Sequence, residues 1–172
     1  MRIGLAGTMS VGKTTLAKAL GEIDRFKDHS VYTERSKYLR DLGIPLNTES
    51  TLNGQFVFLA ERASELLHPN VIADRTIWDV CAFTLSSKSI SDFNKRTFIE
   101  AAMMLRDQYD LVVYVDPHGI VIEDNGVRET DLHYRRKIDE VIKMSLEEFL
   151  PKKLIIVEGT TEQRISTILQ NI

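Results

Sequence analysis

The sequence of 172 residues contains a single cysteine, Cys81, and four scattered histidines. One cysteine cannot form a disulfide within the chain, and its isolation fits a reducing compartment. The histidines show no spacing typical of a zinc site. No apolar run approaches the roughly 18 residues that a membrane span requires, and the N-terminal residues lack the apolar core of a signal peptide. We therefore expect a cytoplasmic protein with no membrane partner.

The sequence also lacks an excess of basic residues. Lysine and arginine total 22 against 25 acidic residues, which gives a formal net charge of −3. This balance argues against a strongly basic surface and disfavours nucleic acid as a partner. Hydrophobic residues make up 43% of the chain and charged residues 27%, as in ordinary globular proteins. Because there is no repeat, low-complexity tract or linker, residues 1–172 are predicted to form one domain.

Short apolar runs alternate along the chain with longer segments in which apolar residues recur at helical spacing. The apolar runs predict strands at residues 3–6, 31–33, 71–74, 111–115 and 154–157. The periodic segments predict helices at residues 13–20, 52–67, 91–106, 134–149 and 162–169, with Ser91 or Asp92 capping the third. This alternation predicts an α/β fold in which a mostly parallel sheet is covered by helices on both faces, a three-layer α/β/α architecture.

A complete phosphate-loop motif, G-x-x-x-x-G-K-[ST], lies between the first predicted strand and the first predicted helix. It comprises Gly7, Thr8, Met9, Ser10, Val11, Gly12, Lys13 and Thr14. The glycines let backbone N–H groups approach phosphate oxygens, and the helix N-terminus favours the same negative charge. We expect Lys13 to reach the β- and γ-phosphates and Thr14 to coordinate Mg²⁺, with Thr15 completing the nucleotide-binding segment. The motif therefore predicts that Mg²⁺ and ATP or GTP bind here.

Two aspartates that end predicted strands compete for a role at the metal. Asp74 ends the third strand, where a carboxylate faces the ligand crevice of such a sheet. It is a candidate metal ligand or proton acceptor. Asp116 ends the fourth strand, but an Asp-Pro pair is typical of a simple break from strand to loop. We favour Asp74.

Further polar residues lie where an acceptor could bind. Glu34 and Arg35 follow the second strand, and either acceptor binding with proton abstraction by Glu34 or a surface ion pair explains them equally well. Gln55 and Arg62 are seven residues apart and share one helix face. A glutamine can recognise a base edge and an arginine can bind a phosphate, although a solvated polar face is the commoner explanation.

The irregular segment from Pro117 to Asp131 predicts a lid, at about residues 117–133. Arg128 lies in it without an obvious partner in sequence, and we expect it to neutralise the transferring phosphoryl group. Arg135 and Arg136 open the next helix, where i, i+4 pairs with Asp139 and Glu140 are an alternative explanation.

Together these residues resemble the small P-loop kinases, in particular the AAA-domain group that includes the nicotinamide riboside kinase domain. The resemblance covers most of the chain. Besides the phosphate loop, it rests on Glu34-Arg35-Ser36, Asp74-Arg75-Thr76, Asp124-Asn125-Gly126-Val127-Arg128 with Arg135, and Gly159-Thr160 with Arg164. The Asp74-Arg75 pair is also similar to that of thymidylate kinases, although Thr76 stands where those enzymes have tyrosine.

The resemblance implies a P-loop phosphotransferase with a five-stranded parallel sheet of order 2-3-1-4-5. It implies that Mg²⁺·ATP is the donor and that Gly159-Thr160 borders the donor base. A nucleoside or nucleotide acceptor, with a deoxynucleotide favoured, would bind among Glu34, Arg35, Gln55, Arg62 and Arg75. Asp74 or Glu34 would act on the acceptor oxygen. A homodimer is compatible with the same resemblance.

Two other functions stay open at this stage. A P-loop ATPase or nucleotide-dependent switch would need no small acceptor, but a GTP switch usually carries an N-K-x-D motif. The closest segment, Asn94-Lys95-Arg96-Thr97, lacks its aspartate. A kinase acting on nucleic acid would need a basic groove and strongly salt-dependent binding, which the net charge of −3 disfavours.

Overall fold

Five parallel strands form one sheet in the computed structural model, which describes residues 1–118 and 131–172. They are β1 (Arg2–Ala6), β2 (Ser30–Tyr32), β3 (Val71–Asp74), β4 (Leu111–Val115) and β5 (Leu154–Val157). Their order across the sheet is β2-β3-β1-β4-β5, and every neighbouring pair is parallel. The predicted fold class and strand order are confirmed.

Helices cover both faces of this sheet. They are α1 (Lys13–Gly21), α2 (Ser36–Asp41), α3 (Leu52–Glu65), α4 (Ile77–Ser86), α5 (Asp92–Met103), α6 (Leu132–Glu148) and α7 (Thr161–Gln170). Alternate strand residues face opposite layers. Ile3 and Leu5 of β1 pack in a core with α1 and α7, whereas Val112 and Tyr114 of β4 pack in a second core with α3 to α6. The three-layer architecture follows from these two cores.

The sequence pattern did not predict α2 and α4. Helix α2 has only six residues, which is too short for helical periodicity to stand out. In α4 every residue except Leu85 is buried, so no polar face marks its period. Its run of β-branched and aromatic residues also has low intrinsic helix propensity. Tertiary packing against α3, α5 and α6 stabilises α4 instead.

The predicted cap of α5 agrees with the structure, whereas several predicted element boundaries differ from it. The Ser91 side chain caps α5 by accepting a hydrogen bond from Asn94 N at 3.3 Å. Helix α5 ends at Met103, before the predicted end at residue 106, and strand β2 begins one residue earlier than predicted. Leu132 and His133, assigned above to the end of the lid, lie in the first turn of α6. Most of the predicted lid falls outside the described residues.

The described helices also bear on the expected absence of a membrane span. Across residues 1–118 and 131–172, none of them combines the length and the apolar composition needed to cross a bilayer.

Candidate functional site

The loop between β1 and α1 lies at the carboxyl edge of the sheet, where the ends of β3 and β4 flank it. Its first glycine, Gly7, has φ +146°, and a Cβ there would lie 2.8 Å from the carbonyl oxygen of Val115. Gly12 caps α1 in the left-handed region, with φ +83°. Both positions therefore require glycine, because a side chain would collide with the neighbouring strand or strain the turn.

The loop presents groups suited to an anion. Helix α1 has no side-chain cap and no acidic residue in its first turn, so neither its cap residue nor its own first turn supplies an acceptor to its first N–H groups. The buried Ser10 hydroxyl has no hydrogen-bond partner among the described residues. A phosphate chain would supply acceptors for these donors, since helix N-termini bind anions.

Lys13 adds a buried positive charge inside this loop. Its Nζ donates to the carbonyl oxygens of Gly7 and Thr8, at 2.5 and 2.7 Å, and lies 3.9 Å from Asp79 Oδ1. Burial lowers the pKa of Lys13, while the carboxylate of Asp79 opposes that shift. The ammonium group is thus held against the loop that the motif assigns to phosphates.

Thr14 and Asp74 meet beside the loop. The Thr14 hydroxyl donates to Asp74 Oδ2, and the backbone N–H of Glu34 lies 3.4 Å from the same oxygen. Asp74 is only 1% exposed. The structure therefore joins the phosphate loop, the end of β3 and the segment after β2 at one carboxylate.

Thr14 and Asp74 fit a Mg²⁺ ion chemically, because both provide the hard oxygen ligands that this ion prefers. Within the described part of the chain, histidine, cysteine and carboxylate side chains do not gather in threes to form a metal cluster. A fuller protein cage is not required, since Mg²⁺ in such sites takes one or two protein ligands and completes its shell with phosphate and water oxygens.

Glu34 and Arg75 form a second pair at this edge. Arg75 Nη2 lies 3.7 Å from Glu34 Oε1, which also accepts a hydrogen bond from Ser36 N at 2.7 Å. The Arg75 backbone has φ +105°, an uncommon value for a residue with a side chain. Such strain persists only where the surroundings enforce it, and it clusters at functional sites. Its guanidinium lies over the ring of Phe83, 4.8 Å from the centroid.

Asp116, the alternative to Asp74, has local partners in a different arrangement. Its Oδ1 accepts a hydrogen bond from His118 N at 2.8 Å, and its Oδ2 lies 3.9 Å from Lys143 Nζ. The first contact is the strand-to-loop turn that an Asp-Pro pair favours. The contact between Thr14 and Asp74 has no counterpart among the described contacts of Asp116.

Gln55 and Arg62 of α3 are buried, with exposures of 3% and 1%, so the interpretation as a solvated polar face is wrong. Arg62 Nη2 pairs with Glu65 Oε1 at 2.5 Å and lies 3.9 Å from Glu61. The Gln55 amide makes no hydrogen bond to a described residue. Burial without a partner leaves the Gln55 amide available to a ligand, whereas the Arg62 guanidinium already faces carboxylates.

Arg35 connects α3 to the end of β2. Its Nη1 lies 3.5 Å from Glu61 Oε1, and its guanidinium covers the ring of Tyr38 at 4.4 Å from the centroid. The Arg35 side chain is half exposed. Arg35 therefore lies on the solvent side of the cluster that also contains Glu61 and Arg62.

The start of α6 also touches the phosphate loop. The Thr8 hydroxyl is fully buried and donates to the carbonyl oxygen of Arg135 at 3.1 Å. Asp139, four residues after Arg135, accepts from the Tyr114 hydroxyl and from Lys143 Nζ at 3.0 Å. Arg128, the predicted lid arginine, lies outside the described residues.

Gly159 and Thr160 open α7 at the end of β5. Gly159 has φ +80°, and Thr160 forms a reciprocal capping box with Gln163. One turn later, Arg164 Nη1 donates to the carbonyl oxygen of Val11 at 2.7 Å. The segment expected to border the donor base is thereby linked to the phosphate loop through Arg164.

Asp79 is a residue of this site that the sequence analysis missed. It is fully buried, and its Oδ1 accepts a hydrogen bond from Gly7 N at 3.1 Å. Its Oδ2 accepts from Thr76 N and Thr76 Oγ1, at 2.9 and 2.7 Å. The bond from Thr76 N is one half of the capping box of α4, and the Asp79 N–H, which donates to the Thr76 side chain, provides the other half. The pattern Thr76-x-x-Asp79 is the signal that could have identified both α4 and Asp79.

The glycine-rich loop, the buried lysine and the sheet order define the P-loop class of nucleotide-binding proteins. The chain belongs to the AAA domain family, whose model matches residues 2–164. No curated protein sequence matches the chain.

Solved structures of three kinds share this fold. A deoxyadenosine kinase from M. mycoides, with dCMP and dCDP bound, is 16% identical with a TM-score of 0.64, over 99% of this chain and 97% of that one. A thymidylate kinase from Ehrlichia chaffeensis is 16% identical with a TM-score of 0.64, over 99% and 96%. A NadR protein in complex with NR is 17% identical with a TM-score of 0.76, over 98% of this chain and 50% of that one.

Proposed function

We propose that the protein is an ATP-dependent kinase that transfers the γ-phosphoryl group of Mg²⁺·ATP to a nucleoside or a nucleoside monophosphate. The observation that supports this proposal most directly is that the Thr14 hydroxyl and the Glu34 N–H both contact the buried carboxylate of Asp74. Thr14 and Asp74 offer two metal ligands at the phosphate loop, and the backbone contact holds Glu34, which carries a second carboxylate, at the same edge. A nucleotide switch without an acceptor has no need of this second carboxylate.

In this proposal the phosphate loop holds the donor. The N–H groups that open α1 bind the phosphate chain, and Lys13 exchanges its loop carbonyls for the β- and γ-phosphate oxygens. Thr14 and Asp74 hold Mg²⁺, which supplies charge neutralisation when bound. Gly159 and Thr160 border the donor base, and Arg128 of the lid adds positive charge at the γ-phosphate.

In this proposal Asp74 serves as a metal ligand and Glu34 serves as the base. An acceptor oxygen, a hydroxyl of a nucleoside or a phosphate oxygen of a nucleoside monophosphate, attacks the γ-phosphorus, and the bond to the β,γ-bridging oxygen breaks to release ADP. Where the acceptor oxygen carries a proton, that proton passes to a carboxylate. Glu34 is the favoured base, because Asp74 already accepts the Thr14 hydroxyl and is almost fully buried. Arg75, paired with Glu34 and held in a strained conformation, orients the acceptor.

The acceptor itself extends from this edge towards α3. Arg35 is half exposed and offers a cation to the acceptor, while Gln55 offers an unpartnered amide to a base edge. Arg62 acts behind them by holding Glu61 and Glu65. The similar structures include a deoxyadenosine kinase and a thymidylate kinase. This similarity favours a nucleoside or nucleotide acceptor and, among these, a deoxynucleotide.

Incubation of the protein with Mg²⁺·ATP and a panel of nucleosides and nucleoside monophosphates tests this function. We expect ADP to form only when one of these acceptors is present, because a closed kinase site excludes water. ADP formation without any acceptor would support the ATPase alternative instead. Phosphorylation confined to oligonucleotides, and strongly salt dependent, would support a nucleic-acid kinase. If the protein binds ATP but phosphorylates none of the acceptors in the panel, the proposal of a small acceptor is overturned.

Gln55 should determine which acceptor base the protein prefers. Gln55→Leu removes both hydrogen-bonding groups at similar volume and should lower kcat/KM for the preferred acceptor about a hundredfold, because the base edge loses its partners. Gln55→Glu replaces the amide donor by an acceptor and should reorder the preference among bases. The panel assay measures both. Unchanged base preference in both variants, with normal folding by circular dichroism, would exclude base recognition by Gln55.

A further inference from the structure

One buried carboxylate, Asp79, contacts both halves of the proposed site. Its two oxygens face different segments: Oδ1 accepts from the first glycine of the phosphate loop, Gly7, and Oδ2 accepts from Thr76 at the end of β3. The three hydrogen bonds measure 3.1, 2.9 and 2.7 Å. Hydrogen bonds to a buried charge are among the stronger ones in proteins, so this link is expected to be rigid.

Thr76 directly follows the strained residue Arg75. A positive φ at an arginine is unfavourable, and it persists only if neighbouring contacts fix the chain on both sides. On one side, Arg75 N donates to the carbonyl oxygen of Leu5 at 3.1 Å. On the other side, Asp79 binds both the N–H and the hydroxyl of Thr76. Asp79 therefore helps to hold the Arg75 turn in the conformation that pairs it with Glu34.

Asp79 also faces the donor side through charge. Its Oδ1 lies 3.9 Å from Lys13 Nζ, and Gly7 supplies both the N–H bound by Asp79 and the carbonyl bound by Lys13. A shift of Asp79 would consequently disturb the position of Gly7 and the environment of Lys13 together. A helix cap that served α4 alone would need only the Thr76 contacts.

We propose that Asp79 is a positioning residue. It links the phosphate loop to the Arg75 turn and so fixes the position of the donor segment relative to the acceptor segment. It acts through Gly7 and Thr76 and touches neither substrate. The inference rests on the proposed kinase function for its rate measurements, whereas its binding measurement requires only that the phosphate loop binds a nucleotide.

Two variants separate the two sides of this link. In Asp79→Asn the side chain keeps its shape, but its amide group must face one of the two N–H donors, so one side is lost and the charge near Lys13 disappears. We expect Mg²⁺·AMP-PNP to bind about tenfold more weakly and kcat to fall about tenfold. Thr76→Val keeps the Thr76 N–H contact but removes the hydroxyl, which donates to Asp79 Oδ2 and accepts from the Asp79 N–H, and it should lower kcat several-fold while leaving donor affinity unchanged. Thr76→Ser, which retains the hydroxyl, should recover most of kcat.

The control is Ser91→Ala, which removes the cap of α5 away from the loop and costs about the same helix stability. Titration calorimetry with Mg²⁺·AMP-PNP gives donor affinity, the panel acceptor gives kcat and KM, and circular dichroism checks folding. A folded Asp79→Asn protein with wild-type donor affinity would overturn the inference. If Asp79→Asn does not fold, a Thr76→Val protein whose kcat matches that of Ser91→Ala would overturn it. If no acceptor in the panel is phosphorylated, the affinity of Asp79→Asn for Mg²⁺·AMP-PNP still tests the inference, because wild-type affinity would overturn it.

Discussion

Lys13→Ala should lower the rate of phosphoryl transfer about a thousandfold, because in the proposed function its ammonium group neutralises charge on the transferring phosphate. The chain should still fold, since the hydrogen bonds of Lys13 Nζ are to the loop itself, and Asp79, 3.9 Å from Nζ, keeps its hydrogen bonds from Gly7 and Thr76. ADP production by the purified variant, with the panel acceptor, measures the effect. Normal turnover would refute the assigned phosphate role of Lys13.

The matched control for Lys13→Ala is Lys18→Ala on the same helix. Lys18 is exposed, so its removal changes the net charge of the protein equally without touching the loop. Lys13→Met is a useful companion, because it preserves the buried stem of the side chain and removes only the charge. We expect both Lys13 variants to lose activity and Lys18→Ala to retain it. Equal losses in all three would indicate a nonspecific effect of charge.

Asp74→Asn should lower kcat about a hundredfold or more and raise the Mg²⁺ concentration needed for half-maximal activity. The asparagine can still accept a hydrogen bond from Thr14, but it lacks the charge that a metal ligand or a base requires. A Mg²⁺ titration at saturating ATP separates the two roles. A shifted Mg²⁺ requirement supports the metal role, and a loss of kcat that excess Mg²⁺ does not relieve supports the proton role.

Asp116→Asn is the control for Asp74→Asn, because Asp116 directly follows strand β4, on the other side of β1 from β3, and was the competing aspartate. Its carboxylate contacts His118 N and lies near Lys143, so we expect a small loss of stability and almost unchanged kinetics. If Asp116→Asn reproduces the Mg²⁺ effect and Asp74→Asn does not, the two assignments must be exchanged.

The donor half of the proposed site could be assigned from the sequence, because the phosphate-loop motif is local in sequence. The spacing of Gly7, Gly12, Lys13 and Thr14 suffices, since one loop and one helix N-terminus provide the anion-binding groups. For the proposed acceptor half, the sequence offered candidate residues but did not predict their arrangement. Glu34 and Asp74 are 40 residues apart in sequence, and only the pairing of β2 with β3 brings them to the same edge.

Burial was the property that the sequence pattern described least well. Gln55 and Arg62 look like a polar helix face, yet both are buried, and the charge of Arg62 is balanced by its counter-ion Glu65. The uniformly buried α4 showed no helical period at all. In each case the missing information was which other helices cover the segment, and that depends on the whole layer.

The sequence by itself determined the α/β class, the phosphate loop and the P-loop character of this protein, because strand and helix periods and a short motif are encoded by neighbouring residues. Only the tertiary structure decided that Thr14, Asp74 and Glu34 meet, that Arg75 adopts φ +105°, and that Asp79 joins Gly7 to Thr76. These contacts join residues far apart in the chain. Their formation depends on the order of the strands and the packing of α4, which no local pattern encodes.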